Sequence, residues 1–151
     1  MMAFSGNYVC DSFSVGLASG DFDFSATTTD VYKIALYTNS ATLDASTASY
    51  TATGEASGTG YSAGGAVLTI SVNPTTDVTT HTTYLSFDDV TWPGSSITAR
   101  GALIYKFDGA SNPAAIVLDF GADKTTVSQT FMVQFPTPDA TSAIVRIAKA
   151  T

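Results

Sequence analysis

Residues 53–65 read TGEASGTGYSAGG, and within them Gly58-Thr59-Gly60-Tyr61-Ser62-Ala63 matches the dinucleotide-binding pattern G-x-G-x-x-G/A letter for letter. That chemistry needs a strand before the first glycine and a helix opening just after it, so that the helix N-terminus meets the pyrophosphate. Here Thr51–Ser57 hold no apolar run, and Gly64-Gly65 would break a helix at its start. The stretch therefore reads as a crossing loop whose glycines allow backbone conformations closed to other residues. Tyr61 is expected to anchor it against the core, and Gly64-Gly65 to lead into the next strand.

The remaining residues that could do chemistry are few. His81 is the only imidazole and sits in the polar stretch TTDVTTHTTY, which reads as an exposed loop or strand edge, not as the base of a triad. Cys10 is the only cysteine; next to Asp11 and with no cation nearby, its thiol has nothing to lower its pKa and reads as inert. One His and one Cys are too few for zinc, and neither Asp21-Phe22-Asp23 nor Asp88-Asp89 has calcium-loop spacing. Glu55 is the sole Glu; with any Asp it could form the carboxylate pair of a glycosidase, but no spacing selects a partner. Trp92 and Tyr61 could offer a sugar platform if exposed; the simpler reading has Trp92 capping the end of the fold and Tyr61 packing the loop. No catalytic, cofactor-binding or metal-binding residue is assigned, and the chain is read as non-enzymatic.

The elements that would position these residues are strands. Charged residues make up only 13% of the 151, with one Glu, four Lys and two Arg to dress helix surfaces. Thr, Val, Ile, Tyr and Phe, which suit pleated half-buried surfaces, abound instead. Period-two alternation marks eight candidate strands: 11–17, 31–37, 66–72, 83–92, 97–107, 114–120, 130–135 and 143–148. Turn chemistry separates them at Trp92-Pro93-Gly94-Ser95, Asp108-Gly109, Ser111-Asn112-Pro113 and Pro136–Asp139. The one helical turn expected lies near Ser40–Ser46. The fold class is all-β: a single-domain antiparallel β-sandwich, jelly-roll-like or Ig-like, of about eight strands. Residues 1–24 read as an N-terminal strand or arm and 25–151 as the sandwich domain.

Thirteen acidic against six basic residues give a net charge of −7 and a pI near 4.2. The cations Lys33, Arg100, Lys106, Lys124, Arg146 and Lys149 are scattered singly, which argues against nucleic acid as a partner. No stretch approaches the roughly 18 apolar residues of a membrane span. The start MMAFSGNYVC lacks the features of a secretory signal, so synthesis in a reducing cytoplasm is expected.

Five blocks, KIALYT (33–38), YTATGE (50–55), GTGYSAGG (58–65), ITARGALIY (97–105) and LDFG (118–121), occur in a fixed order. In this combination the chain resembles a family of small virion proteins of tailed bacteriophages, over roughly residues 30–147. The resemblance implies a structural role on the exterior of the phage particle, as a capsid cement or decoration protein. It further implies a homo-oligomer, by preference a trimer, that contacts the major capsid protein. The alternative it carries is a tail-, neck- or fibre-associated structural or receptor-binding protein. It implies no catalytic residue and no cofactor.

Overall fold

The window VYKIALY alternates cleanly and forms strand β2 (Val31–Tyr37) in the computed structural model, which describes residues 4–149. Met1–Ala3, the start of the segment expected as a strand or arm, and Ala150–Thr151 lie outside the described residues. Chain order is β1 (Tyr8–Val9), α1 (Asp11–Ser19), β2, β3 (Ala66–Leu68), β4 (Ile70–Asp77), β5 (Thr82–Phe87) and β6 (Val90–Ser95). Then follow β7 (Thr98–Phe107), β8 (Ala114–Thr125), β9 (Gln129–Val133) and β10 (Val145–Ile147). The fold is mostly β, in antiparallel sheets of five strands (β1-β8-β7-β2-β3), three (β10-β5-β4) and two (β6-β9).

Among the described residues, ten strands replace the eight read from alternation. Residues 66–72 divide into β3 and the start of β4, and residues 83–92 into most of β5 and the start of β6, while Tyr8–Val9 adds a short pair with β8. The largest correction is at residues 11–17, which form a helix. DSFSVGLAS opens on Asp11, placed to favour the helix N-terminus, and closes on Gly20 in the left-handed conformation at φ 82°. Its buried positions are Phe13 and Gly16, three apart, while Val15, expected on the same face as Phe13, is 68% exposed. Gly16 lies flush on Phe22; a Cβ there would stand 2.5 Å from the ring. No helix forms at Ser40–Ser46, where the Asp44 carboxylate instead accepts the Ser46 N–H at 2.8 Å in an Asx turn.

Trp92-Pro93-Gly94-Ser95 is likewise not a turn between strands. It lies inside β6, where the register against β9 slips between Trp92 and Ser95 and Gly94 takes φ 60°. Proline in a strand is tolerated at such a bulge on a sheet edge. By contrast, the turn signals at 108–113 do join β7 to β8: Asp108 accepts the Ala110 and Asn112 N–H groups, and Asn112 accepts those of Asp108 and Gly109.

One side of β2 carries Tyr32, Ile34 and Leu36, all buried. Tyr32 stacks on Phe24 with centroids 4.4 Å apart and meets Phe87 of β5 at 6.1 Å, so the five- and three-stranded sheets share this core. Phe22 and Phe13 extend the aromatic chain to α1, and Phe135 extends it beyond Phe87. The N-terminal residues thus pack along their own chain: Phe4, Cys10, Phe13, Phe22 and Phe24 are all buried, and the Cys10 N–H donates to the Ala115 carbonyl.

Candidate functional site

β3 pairs with β2 only from Tyr32 to Ile34, which leaves the edge of β2 open beyond that point. The glycine-rich loop closes it. The Ala56 N–H donates to the Leu36 carbonyl at 2.8 Å, and the Thr38 N–H to Gly54 at 2.9 Å. The Leu36 N–H, which a neighbouring strand would otherwise take, donates to the Tyr61 hydroxyl at 2.9 Å. A side chain here stands in for a strand, because a buried N–H must find an acceptor.

Tyr61 in turn is fixed by Glu55. Its hydroxyl donates to Glu55 Oε1 at 2.7 Å, the Gly64 N–H donates to the same oxygen at 2.7 Å, and the Tyr50 hydroxyl donates to Oε2 at 2.6 Å. Around this clasp Tyr105 donates to the Gly64 carbonyl at 2.7 Å and Tyr37 to the Thr51 carbonyl at 2.6 Å. Tyr50 and Tyr105 stack with centroids 4.9 Å apart. Burial, then the nearby Glu55 carboxylate, pushes Tyr105 up to about 12, and Tyr37, Tyr50 and Tyr61 are raised above their ordinary value with burial again first. All four hydroxyls act as hydrogen-bond donors.

Two glycines make the path possible. Gly65, at φ 74°, passes so close to β2 that a Cβ would stand 1.8 Å from the Ile34 carbonyl oxygen. Gly58, at φ 147°, would bring a Cβ within 2.0 Å of the Ser96 carbonyl oxygen. The N–H groups of Tyr61, Gly64 and Gly65 go to Gly58, Glu55 and Ser62, and the loop runs into β3 instead of a helix. A phosphate cradle requires the opposite arrangement, with N–H groups converging on a ligand. The arrangement is a clasp that holds a loop on a sheet; the carboxylate oxygens that a glycosidase would aim at substrate are occupied by Tyr50, Tyr61 and Gly64.

The other candidates do not gather here. His81 is exposed in the β4–β5 turn at φ 53°. Cys10 is fully buried, and burial, then Asp11 and Asp44, pushes its thiol up to about 12. Asp23 accepts the Ser25 N–H and Asp89 that of Phe135, while Asp21 accepts the Ser19 hydroxyl. Among the described residues no group of three or more His, Cys, Asp or Glu is placed to hold a metal. Trp92 is buried, with Tyr61 and Phe131 each at a centroid distance of 6.0 Å, so its face is packed against protein. Of the scattered cations, Arg100 pairs with Asp119 at 3.1 Å, Lys106 with Asp30 at 2.9 Å, and Lys33 lies 4.6 Å from the Phe107 ring centroid.

Residue types alone did not reveal the clasp. The signal that was available is the single Glu in a chain with twelve Asp, set between two tyrosines in a glycine-rich loop. Glu reaches one methylene further than Asp, which the span to Tyr50 and Tyr61 uses. No protein-family model, curated protein or solved structure matches this chain.

Proposed function

We propose that the chain is a non-enzymatic structural protein of a tailed-phage particle, a cement or decoration protein on the capsid exterior that works as a homo-oligomer against the major capsid protein. The observation that carries this reading is where the five resembling blocks fall. KIALYT is most of β2 and the residue after it; YTATGE and GTGYSAGG supply Tyr50, Glu55, Tyr61 and Gly64; ITARGALIY is most of β7; LDFG lies in β8. Tyr50, Glu55, Tyr61 and Gly64 of these blocks thus meet in one hydrogen-bonded clasp on β2. The blocks belong together as architecture, which suits a protein whose work is to be rigid.

The packing of Tyr32 on Phe87 supports a sandwich in which the five-stranded sheet faces the three-stranded one. A surface rich in Ser and Thr and poor in Lys and Arg suits a particle exterior better than a face turned to packaged DNA. The test is the copy number per virion relative to the major capsid protein, measured by quantitative mass spectrometry of purified particles. A stoichiometry comparable with the capsid protein is expected, together with earlier heat rupture of particles that lack the chain. A few copies per particle would move the protein to the neck, tail or fibre and overturn the cement reading.

A further inference from the structure

The chain has four asparagines, and three of them are shielded from loss of the side-chain amide. Asparagine is thermolabile because the backbone nitrogen of the next residue can attack its Cγ and close a five-membered ring. Asn73 and Asn112 precede Pro74 and Pro113, whose nitrogens carry no hydrogen and cannot close that ring. Their side chains are also tied. Asn73 Nδ2 donates to the Phe24 carbonyl at 2.9 Å, and Asn112 Oδ1 accepts the Asp108 and Gly109 N–H groups. Asn7 Oδ1 accepts the Asp119 N–H at 2.8 Å, and the bulky Tyr8 that follows it opens β1.

Asn39 has neither protection. It lies two residues past the end of β2 in the turn Thr38–Ala41, with its side chain exposed. The polar contacts of that turn belong to its neighbours. The Ala41 N–H donates to the Thr38 carbonyl at 3.1 Å, and the Thr38 and Ser40 hydroxyls lie 2.8 Å apart. Ser40 is small and exposed, and its N–H reaches Thr38 Oγ1 only at 3.4 Å. The acid counterpart of this reaction, at Asp108-Gly109, is closed off. Asp108 Oδ1 accepts the Ala110 and Asn112 N–H groups and Oδ2 the Ser111 hydroxyl, while the Gly109 N–H is taken by Asn112. Those bonds hold the Asp108 carboxyl down to about 2, and an ionised carboxylate offers no leaving group.

We propose that Asn39 deamidates spontaneously, through a succinimide closed by the Ser40 amide nitrogen. That nitrogen loses its proton to base and bonds to Asn39 Cγ; the Cγ–Nδ2 bond breaks, and Nδ2 leaves as ammonia with a proton from solvent. Water then opens the ring at either carbonyl, giving an aspartyl or an isoaspartyl residue. The isoaspartyl product adds one methylene to the main chain between Thr38 and Ala41, a segment fitted at both ends. The Thr38 N–H donates to the Gly54 carbonyl at 2.9 Å, and buried Ala41 packs so close that a Cβ on Gly54 would stand 2.7 Å from it. The modification therefore acts on the loop that carries Glu55, and it adds a negative charge to a chain already at −7. The inference rests on the chemistry of this turn and not on the virion reading.

The experiment holds the folded chain at mildly alkaline pH beside a second sample unfolded in urea, which serves as the clock. Peptide mapping by mass spectrometry, with fragmentation that separates isoaspartyl from aspartyl, reads each asparagine. In the folded chain Asn39 is expected to convert within about tenfold of its unfolded rate, since a single backbone hydrogen bond closes the turn. Isoaspartyl should form alongside aspartyl there, and Asn7, Asn73 and Asn112 should stay intact. Ser40→Val, whose branched side chain crowds the attacking nitrogen, should slow the conversion several-fold. Asn39→Gln should gain no charge over the same time. Earlier conversion at another asparagine, an aspartyl product without isoaspartyl, or a folded Asn39 slower than that tenfold limit overturns the proposal. Copy number in particles depends on none of these outcomes, so the two readings fail separately.

Discussion

Replacing Glu55 by Gln changes the clasp with almost no change in volume. The carboxylate accepts three hydrogen bonds, from Tyr61, Gly64 and Tyr50, at 2.6 to 2.7 Å. Hydrogen bonds to a charged group contribute about 1.5–3 kcal/mol and neutral ones about 0.5–1.5 kcal/mol. If the amide oxygen takes the place of Oε1, the bonds from Tyr61 and Gly64 survive as neutral ones, each weaker by about 1 kcal/mol. The amide nitrogen then meets the Tyr50 hydroxyl, which must turn to accept and loses its own acceptor. The expected cost is about 2–3 kcal/mol, or a fall in Tm of roughly 5–10 °C for a chain of this size. Denaturant unfolding and calorimetry measure the total. Hydrogen exchange localises it, because the Leu36 N–H depends on Tyr61 and should exchange faster while amides in β7 and β8 stay protected. Asp123→Asn, an exposed change of the same charge, serves as the control. A Glu55→Gln protein within about 0.5 kcal/mol of wild type, with Leu36 protection unchanged, would refute the clasp.

The two glycines that end the loop should behave differently. Gly64→Ala meets only the Tyr105 hydroxyl at 3.4 Å and the end of the Lys33 side chain at 3.6 Å, and is expected to lose about 1–2 kcal/mol for its φ of 87°. Gly65→Ala drives a methyl into the Ile34 carbonyl and should lose several times more, or fail to give soluble protein; equal melting temperatures for the two would contradict the close approach. Acid should loosen the loops. Hydrogen bonds from the Ser111 hydroxyl and from the Asn112 and Ala110 amides hold the Asp108 carboxyl down to about 2, and bonds from Ser25, Ser46 and Thr141 lower Asp23, Asp44 and Asp139. Folded-state values below the ordinary carboxylate range mean stability that is present above about pH 4 and lost as pH falls toward about 2. Tm should decline through that window, and less steeply in Asp108→Ala; a flat profile in the wild type would show that these turns do not couple to folding.

The β class, strand β2 and the turn joining β7 to β8 were legible in the sequence because their causes are local. Alternation of apolar residues, β-branched content and Asp-Gly or Asn-Pro pairs act within a few residues of themselves. The loop reading of 53–65 was legible for the same reason, since Gly64-Gly65 cannot open a helix. Residues 11–17 were not, because DSFSVGL satisfies a period of two and a period of 3.6 alike. The choice was made by the seat of Gly16 on Phe22 and the cap at Gly20. Trp92–Ser95 carried turn residues but became a bulged strand because β9 was there to pair with it. The clasp joins Tyr50, Glu55, Tyr61 and Gly64 to Leu36, a residue on a different element, and its cause is a shortfall: β3 is three residues long and leaves the β2 edge unmet. Where an edge is left for something other than a strand to close, as at β2, depends on which strands find each other across the chain. That is a property of hydrogen-bond pairing over long sequence separations, and only the tertiary structure decided it.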